Sequence, residues 1–518
     1  MLNFFNKRYF ILCIFPFILG GITVLSFRPF NLFFFNGISI SLLFYLIFYV
    51  KKKTQSLYRK KPFLKNLFFL GTSYGFGFFL FGFYWITYSL TFDDSFKFLI
   101  PFALILIPLF LSLFFSLPII FAGYLIDLKI SSVILISLLL SIFDFLRSFV
   151  LTGFPWNLWA YSFSWSQESL QILSVIGIFS FNLLLITIFF LPAVLFFRGK
   201  SKYFFVSFFV ILVFINYFYG SYQINSQFRD NTENKINFKI VSAGTSLSEF
   251  KDQKLVIKKL ITLSEPNKDQ KTIFIWPEGV ILDVNFAKQD EIKELFRKNF
   301  SKKHIILLGA NTKKANKQNE NYYNSLLIVD RDLNIIDQYD KKKLVPFGEF
   351  LPFEKILRRI GLKKITPGYF SFSKGKSNSV ISLKFNNQNI SLLPLICYEI
   401  IFPHLLENKK NQFNFIVNIS EDAWFGDSIG PQQHFAKAIF RSIESETFTI
   451  RSANKGISAF IGPNGKVLKS LNPTEFGNIE LDLPILKSKN NTTKKSLIFS
   501  LLLITYVVTF FVLRKLRL

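Results

Sequence analysis

Long uninterrupted apolar runs constrain this chain more than any other feature. A membrane-spanning helix needs about 20 apolar residues. Runs of that kind recur near 9–27, 29–50, 66–90, 98–126, 131–150, 169–197, 203–220 and 497–513, so eight spans are expected. With 51% hydrophobic residues and 70 phenylalanines among 518, the whole is too apolar for an ordinary soluble protein. Residues 221–496 differ, because their composition is that of a normal globular domain edged by short polar stretches at 221–235 and 486–495. A three-part organisation follows, with a membrane domain of seven helices over 1–220, a soluble domain over 221–496, and a last membrane helix with a basic tail over 497–518. Lys7 and Arg8 precede the first run as in a signal peptide. No small-residue cleavage site follows and a second apolar run comes at once, so the first run reads as a retained helix.

The formal net charge is +28, and much of it lies in short runs beside apolar segments, as in "KKKTQSLYRKKPFLK" (51–65), "RGKSK" (198–202) and "RKLRL" (514–518). Beside spans, such runs set topology rather than bind nucleic acid. With Lys7 and Arg8, 51–65, the Lys129 loop, 198–202 and 514–518 all cytoplasmic, eight alternating spans fit without conflict. The loops near 28, 91–97 and 151–168, and the whole of 221–496, then fall on the opposite side. The two cysteines, Cys13 and Cys397, make no disulfide framework, and no CxxC or Cys/His cluster offers a metal site.

Within 221–496, strand-like runs (236–244, 271–279, 303–311, 324–330, 390–400, 413–420 and 457–465) alternate with helix-like runs (251–265, 290–300 and 433–447). That alternation predicts an α/β domain. "GPNG" (462–465) followed by "KVLKS" predicts a hairpin.

Three segments carry candidate chemistry. "FIWPEG" (274–279) places Glu278 just beyond an apolar run, "YDKKKLVPFGEFLPF" (339–353) holds Lys341 and Glu349, and "ICYEI" (396–400) holds Cys397 and Glu399. Polar residues at the carboxyl ends of strands converge on the site of an α/β protein. A thiol is mostly protonated at neutral pH and needs a base to become a nucleophile, and Glu278 is a candidate for that role. Lys341 is a candidate to stabilise the oxyanion formed on thiolate attack. Each residue also has a plainer reading. Cys397 reads as a small core hydrophobe, Glu278 as a helix-start carboxylate, and the "KKK" run as a solvated face. A Cys397–His404 dyad stays open with no second feature behind it. Walker, GxGxxG and HExxH patterns do not occur.

These segments, in this order, resemble the nitrilase superfamily, whose Glu-Lys-Cys triad follows a strand, a loop and a strand. More closely, the chain resembles the apolipoprotein N-acyltransferase family over almost its full length. The likeness includes "TGFPWNLWAYS" (152–162), "WPEG", "YDKKKLVPFGEFLP", "ICYEI", "DAWFGDSIGPQQH" (422–434) and "RSANKGISAFIGPNG" (451–465). The resemblance implies a multi-pass α-helical membrane domain joined to a nitrilase-like αββα sandwich. It implies Glu278 as base, Lys341 as oxyanion stabiliser and Cys397 as nucleophile. Glu349, Glu399 and Tyr398 match supporting residues, and Gly153, Trp156 and Trp424 match candidate lipid or substrate contacts. The loop carrying Gly153 and Trp156 reads equally as an interfacial aromatic belt.

The implied activity is transfer of a fatty acyl chain from a phospholipid, through a cysteine thioester, to the α-amine of diacylglyceryl-cysteine in an apolipoprotein. Ping-pong kinetics, no cofactor, a monomer and a bacterial inner-membrane location with a periplasmic catalytic domain go with it. Two features depart from the family pattern. Glu421 stands where asparagine is usual, and Phe250 stands near the place of a usual tryptophan. A membrane-tethered amidase using water as acceptor, and a transporter or receptor whose nitrilase-like domain only binds, are the other function classes. The second expects charged residues inside the spans, of which Asp144 and Arg147 are the clearest.

Overall fold

Backbone in hydrocarbon must satisfy its own hydrogen bonds, which is why the apolar runs fold as helices. The computed structural model describes residues 7–55, 60–227, 234–246, 249, 252–316, 319–357, 359, 364, 371–376, 380–406, 412–489 and 492–518. Phe250 lies outside the described residues. The chain divides into two units, one of Met1–Leu90, Ser95–Asn225 and Asn491–Leu518, the other of Thr91–Asp94 and Ser226–Asn490.

In the first unit, seven helices among the described residues are long and apolar enough to cross a membrane: Phe34–Thr54, Phe63–Thr91, Asp94–Gly123, Ile130–Arg147, Leu173–Val194, Ser201–Asn225 and Thr492–Lys515. The eighth expected span is the shorter apolar helix Phe10–Ser26. Helical turns run on without a break from Lys7 to Ser26, and this apolar helix is shorter than the other seven. Small residues let these helices approach closely. A Cβ on Gly77 would stand 2.1 Å from the Phe17 carbonyl oxygen, and one on Gly75 2.8 Å from the Ser112 Cα. Buried hydroxyls pair with one another, as Thr23 does with Ser39 (2.7 Å) and Tyr74 (3.0 Å).

A buried charged cluster sits at the end of the Ile130–Arg147 helix. Arg147 Nη2 donates to Asp144 Oδ1 at 2.8 Å, and Asn182 Nδ2 donates to Asp144 Oδ2 at 3.0 Å. The cluster also grips the loop after the helix, since Arg147 Nη1 donates to the Phe154 carbonyl (2.8 Å) and Asn182 Oδ1 accepts from the Ala160 amide (3.1 Å).

The second unit stacks two six-stranded sheets, ordered β12-β1-β2-β3-β4-β5 and β11-β10-β9-β8-β7-β6. The first contains β1 (Lys235–Ser242), β2 (Thr272–Ile275), β3 (His304–Asn316), β4 (Asn319–Val329), β5 (Ile335–Asp340) and β12 (Gly477–Pro484). The second contains β6 (Ile381–Phe385), β7 (Gln388–Ile396), β8 (Phe415–Glu421), β9 (Phe448–Asn454), β10 (Ser458–Ile461) and β11 (Val467–Leu471). The alternation of side chains along each strand builds the layers. Ile273 and Ile275 join Leu307, Leu392, Ile396, Val417 and Ile419 in the core between the sheets. Phe274 and Trp276 point to the other face, against Ile257 and Leu260 of α1 (Gln253–Ser264) and Phe296 of α2 (Asp290–Asn299). Helix α3 (Gly430–Ser445) packs on β9 and β10 of the second sheet, completing an αββα sandwich. The hairpin expected at "GPNG" joins β10 to β11.

Strand direction places the site. β2 runs parallel to β1 and β3, and β7 and β9 run parallel to β8. β4 reverses against β3 and β5 reverses again, so β5 ends at the same edge as β2.

Candidate active site

Glu278 follows β2 in a turn that packs on β3. The Trp276 amide continues the ladder to the Leu307 carbonyl (2.8 Å), and the Gly309 amide donates to the Pro277 carbonyl (3.2 Å). Gly309 has to be glycine for that approach, because a Cβ there would stand 2.5 Å from the Glu278 Cα. The Trp276 indole, fully buried, donates to Ser264 Oγ at 3.0 Å and locks the turn to α1.

Lys341 comes one residue after β5, where its amide still pairs with the Asn324 carbonyl (2.9 Å). Its ammonium lies between two carboxylates, 3.0 Å from Glu278 Oε1 and 2.9 Å from Glu349 Oε1. Asn324 on β4 donates from Nδ2 to the same two oxygens, at 2.7 Å each. The remaining oxygens are also taken, Glu278 Oε2 by the Glu421 amide (2.9 Å) and Glu349 Oε2 by the Val345 amide (2.8 Å). Lys341 is 1% exposed. Burial pulls its pKa down, but Glu278, Glu349 and Cys397 outweigh that and hold it well above the ordinary lysine value. The ammonium therefore stays charged.

Cys397 is the first residue beyond β7 and has a φ of 48°. A non-glycine residue in this left-handed region carries a strain of about 1 kcal/mol or more, of the kind found at functional sites. It is 9% exposed and closes one end of the inter-sheet core. Burial first, then the charges of Glu278 and Asp422, push its thiol well above the usual range, and Lys341 and Ser420 offset only part of this. The resting group is a thiol beside a carboxylate and a permanent cation. Nucleophilic attack in this setting calls for base removal of the proton, with the ammonium placed to face a developing oxyanion.

Glu399 ties the two loops together. Its carboxylate accepts from the amides of Ile396 (2.8 Å), Lys342 (2.7 Å) and Lys343 (3.1 Å) and from the Tyr339 hydroxyl (3.0 Å). Burial raises its pKa against those donors. Tyr398 is buried with its ring edge-on to Phe402, centroids 5.0 Å apart. Trp424 is partly exposed, and Phe92, from the four-residue segment that belongs to this unit, stands edge-on to it at 5.2 Å. In the other unit, Gly153 has a φ of 83°, and Trp156 is 1% exposed against Trp85 (4.6 Å) and Phe154 (6.0 Å).

Glu421, the departure from the family asparagine, is buried, and its carboxyl accepts from Asn454 Nδ2 (2.8 Å) and the Ala423 amide (3.2 Å). Burial pushes its pKa well above the usual carboxylate range. His404 sits against Phe402, and burial with the nearby Lys343 and Arg441 charges lowers it to about 4, which makes it a poor base at neutral pH. Sequence reasoning missed Asn324 and a buried Asp422–His434–Arg451 group. Asn324 falls inside a strand-like run with no motif to mark it. Among the described residues no group of three metal-ligating side chains occurs.

Residues 254–485 match the carbon-nitrogen hydrolase family, and residues 19–191 match the apolipoprotein N-acyltransferase N-terminal domain. Fold and site thus define a carbon-nitrogen hydrolase-like domain carried on a set of membrane-length helices. The curated apolipoprotein N-acyltransferases of Rhizobium rhizogenes and Brucella suis are each 30% identical to this chain, over 90% of it and 88% and 89% of their own lengths. That of Rickettsia prowazekii is 32% identical over 80% of this chain and 82% of its own. The chain belongs to the apolipoprotein N-acyltransferase family. Among solved structures, Saccharomyces cerevisiae Nit3, a member of branch 10 of the nitrilase superfamily, is similar over 48% of this chain and 90% of its own, at 17% identity and a TM-score of 0.35.

Proposed function

We propose that this bacterial membrane protein N-acylates apolipoproteins and that Glu278, Lys341 and Cys397 carry the chemistry. Glu278 takes the Cys397 proton as Sγ bonds to the ester carbonyl carbon of a phospholipid. Lys341 faces the resulting oxyanion. The carbonyl–oxygen bond then breaks, Glu278 returns the proton to the leaving alkoxide, and a lysophospholipid departs from a cysteine thioester. In the second half, the α-amine of a diacylglyceryl-cysteine attacks the thioester. Glu278 takes the amine proton, the carbon–sulfur bond breaks, and the proton returns to Cys397. One acyl-enzyme shared by two substrates gives ping-pong kinetics.

The observation that carries this reading is the position of the Lys341 ammonium, 3.0 Å from Glu278 and 2.9 Å from Glu349, with Cys397 buried just beyond β7 in a left-handed turn. Glu349 and Glu399 hold the lysine loop, and Tyr398 lies beside the nucleophile in sequence. Trp424 and the loop with Gly153 and Trp156 are the proposed lipid or substrate contacts. We take the sheet unit as the catalytic domain and propose that it faces the periplasm, a reading supported by the run of basic residues in the loops on the other side of the spans. Protease treatment of spheroplasts is expected to cleave within 221–496 only from the outside. The activity is tested with purified protein, a phospholipid donor and a diacylglyceryl-cysteine peptide. N-acylated peptide is expected, and none with Cys397→Ala. Release of free fatty acid with no peptide product would instead point to a hydrolase.

A further inference from the structure

A second buried polar group stands behind the nucleophile. His434, the fifth residue of α3, is fully buried. Its Nε2 is 3.2 Å from the backbone carbonyl oxygen of Cys397. Its Nδ1 is 3.0 Å from Asp422 Oδ1 and 3.1 Å from Arg451 Nη2. Arg451 Nη2 also donates to Asp422 Oδ2 (2.7 Å), Ser420 Oγ donates to Asp422 Oδ1 (2.6 Å), and Arg451 Nε donates to the Ile457 carbonyl (3.2 Å). Arg451 Nη1 is bonded to Asn418 Oδ1.

The donors and acceptors favour one tautomer. Asp422 and Arg451 cancel as an ion pair, so a protonated imidazole would add an uncompensated buried charge. Lys437, one turn along α3 and itself buried, and Arg451 both work against that charge, and Asp422 favours it. A neutral ring with hydrogen on Nε2 meets two of the three contacts and leaves Nδ1 and Asp422 Oδ1 facing as acceptors, whereas hydrogen on Nδ1 would oppose the Arg451 N–H and leave the Cys397 carbonyl without its donor. Nε2–H donates to the Cys397 carbonyl, Nδ1 accepts from Arg451, and Asp422 Oδ1 is left to Ser420. The bonded carbonyl belongs to the one residue of the proposed triad with a left-handed φ.

We infer that His434 is a positioning residue for the nucleophile, its Nε2–H holding the Cys397 carbonyl so that the turn presenting Sγ keeps its left-handed geometry. This rests on Cys397 being the nucleophile. Thioester formation is followed by rapid-quench mass spectrometry of the full-length protein with a phospholipid donor. His434→Phe is expected to slow it by about 10- to 100-fold, the order a misplaced reacting group costs, with KM for the donor unchanged. His434→Gln, which keeps an N–H near the Nε2 position, is expected to recover most of the rate. A His434→Phe rate equal to wild type overturns the inference, and so does equal slowing of both variants. A wild-type protein that never carries the acyl group instead overturns the assignment of Cys397.

The tautomer gives a separate readout, useful if His434→Phe does not fold. The chain has three histidines, so imidazole ¹⁵N spectra of His-labelled protein are simple. The signal lost in His434→Gln should be that of a neutral Nε2–H ring. A neutral Nδ1–H ring there, with no hydrogen on Nε2, contradicts the inference.

Discussion

The two units each bury a charged cluster, and the clusters are built on opposite principles. In the helical unit one anion, Asp144, meets one cation, Arg147, whose Nη1 donates to the Phe154 carbonyl of the following loop. In the sheet unit two carboxylates, Glu278 and Glu349, share one ammonium and one amide. The first arrangement is balanced and acts as a staple. The second is over-supplied with acceptors, which is expensive in a buried site, and such sites are where catalytic groups are kept at work. Charged residues inside spans are a functional hypothesis by default, but here the partners of Asp144 and Arg147 are structural. That removes the main sequence feature on which a transporter reading would draw.

The contrast can be broken most directly at Glu278. Glu278→Gln keeps the shape but removes the base, and acyl transfer should fall by about 10²- to 10⁴-fold while the melting temperature of the detergent-solubilised protein stays near wild type. Loss of folding would make Glu278 a structural residue like Asp144. At the other cluster the opposite pattern is expected. Arg147→Met leaves a buried unpaired carboxylate and should cost about 3–5 kcal/mol of stability, read by thermal or denaturant unfolding, with much of it restored in the Asp144→Leu/Arg147→Met double variant. A third test probes whether the acceptor-rich cluster depends on its shared amide. Asn324→Leu removes two hydrogen bonds to carboxylates and should lower the acylation rate by about 10- to 100-fold, the range for a misplaced catalytic group. Unchanged kinetics would show that Lys341 alone orders the pair.

The smallest effect concerns Glu421. Its folded pKa is raised by burial, so the folded state holds a proton that the unfolded state releases above its ordinary value of 4.5. Stability must then decline as pH rises from there through the folded pKa. Glu421→Gln should flatten this decline, so that melting temperatures of the variant and wild type diverge in the variant's favour as pH rises. Parallel curves would mean the carboxyl ionises alike in both states.

Much of this was legible beforehand, for definite reasons. The membrane helices followed from apolar run length, with Phe10–Ser26 the shorter apolar helix among them. Strands β1, β2, β3, β7 and β8 announced themselves because they are buried on both faces and read as continuous apolar runs. β9 did not, since "FTIRSAN" carries Arg451 and Asn454. These polar residues suit a central strand only because Asp422, Asn418 and Glu421 wait for them, and pairing across 33 positions, as for Arg451 with Asn418 and Asn454 with Glu421, leaves no local trace. The reacting groups Glu278, Lys341 and Cys397 came from motifs. The residues that hold them, Asn324 and His434, lie on β4 and α3 and became visible only when the strands brought their partners to one edge.

The central claim is that Cys397 carries the acyl chain between two substrates. Intact-mass and peptide mass spectrometry of the protein, quenched after incubation with a phospholipid donor and no acceptor, tests it most directly. The account predicts a fatty acyl thioester on the peptide containing Cys397, absent in Cys397→Ala and discharged on adding a diacylglyceryl-cysteine peptide. An enzyme that N-acylates the peptide at its normal rate without ever carrying acyl mass on Cys397 would contradict it.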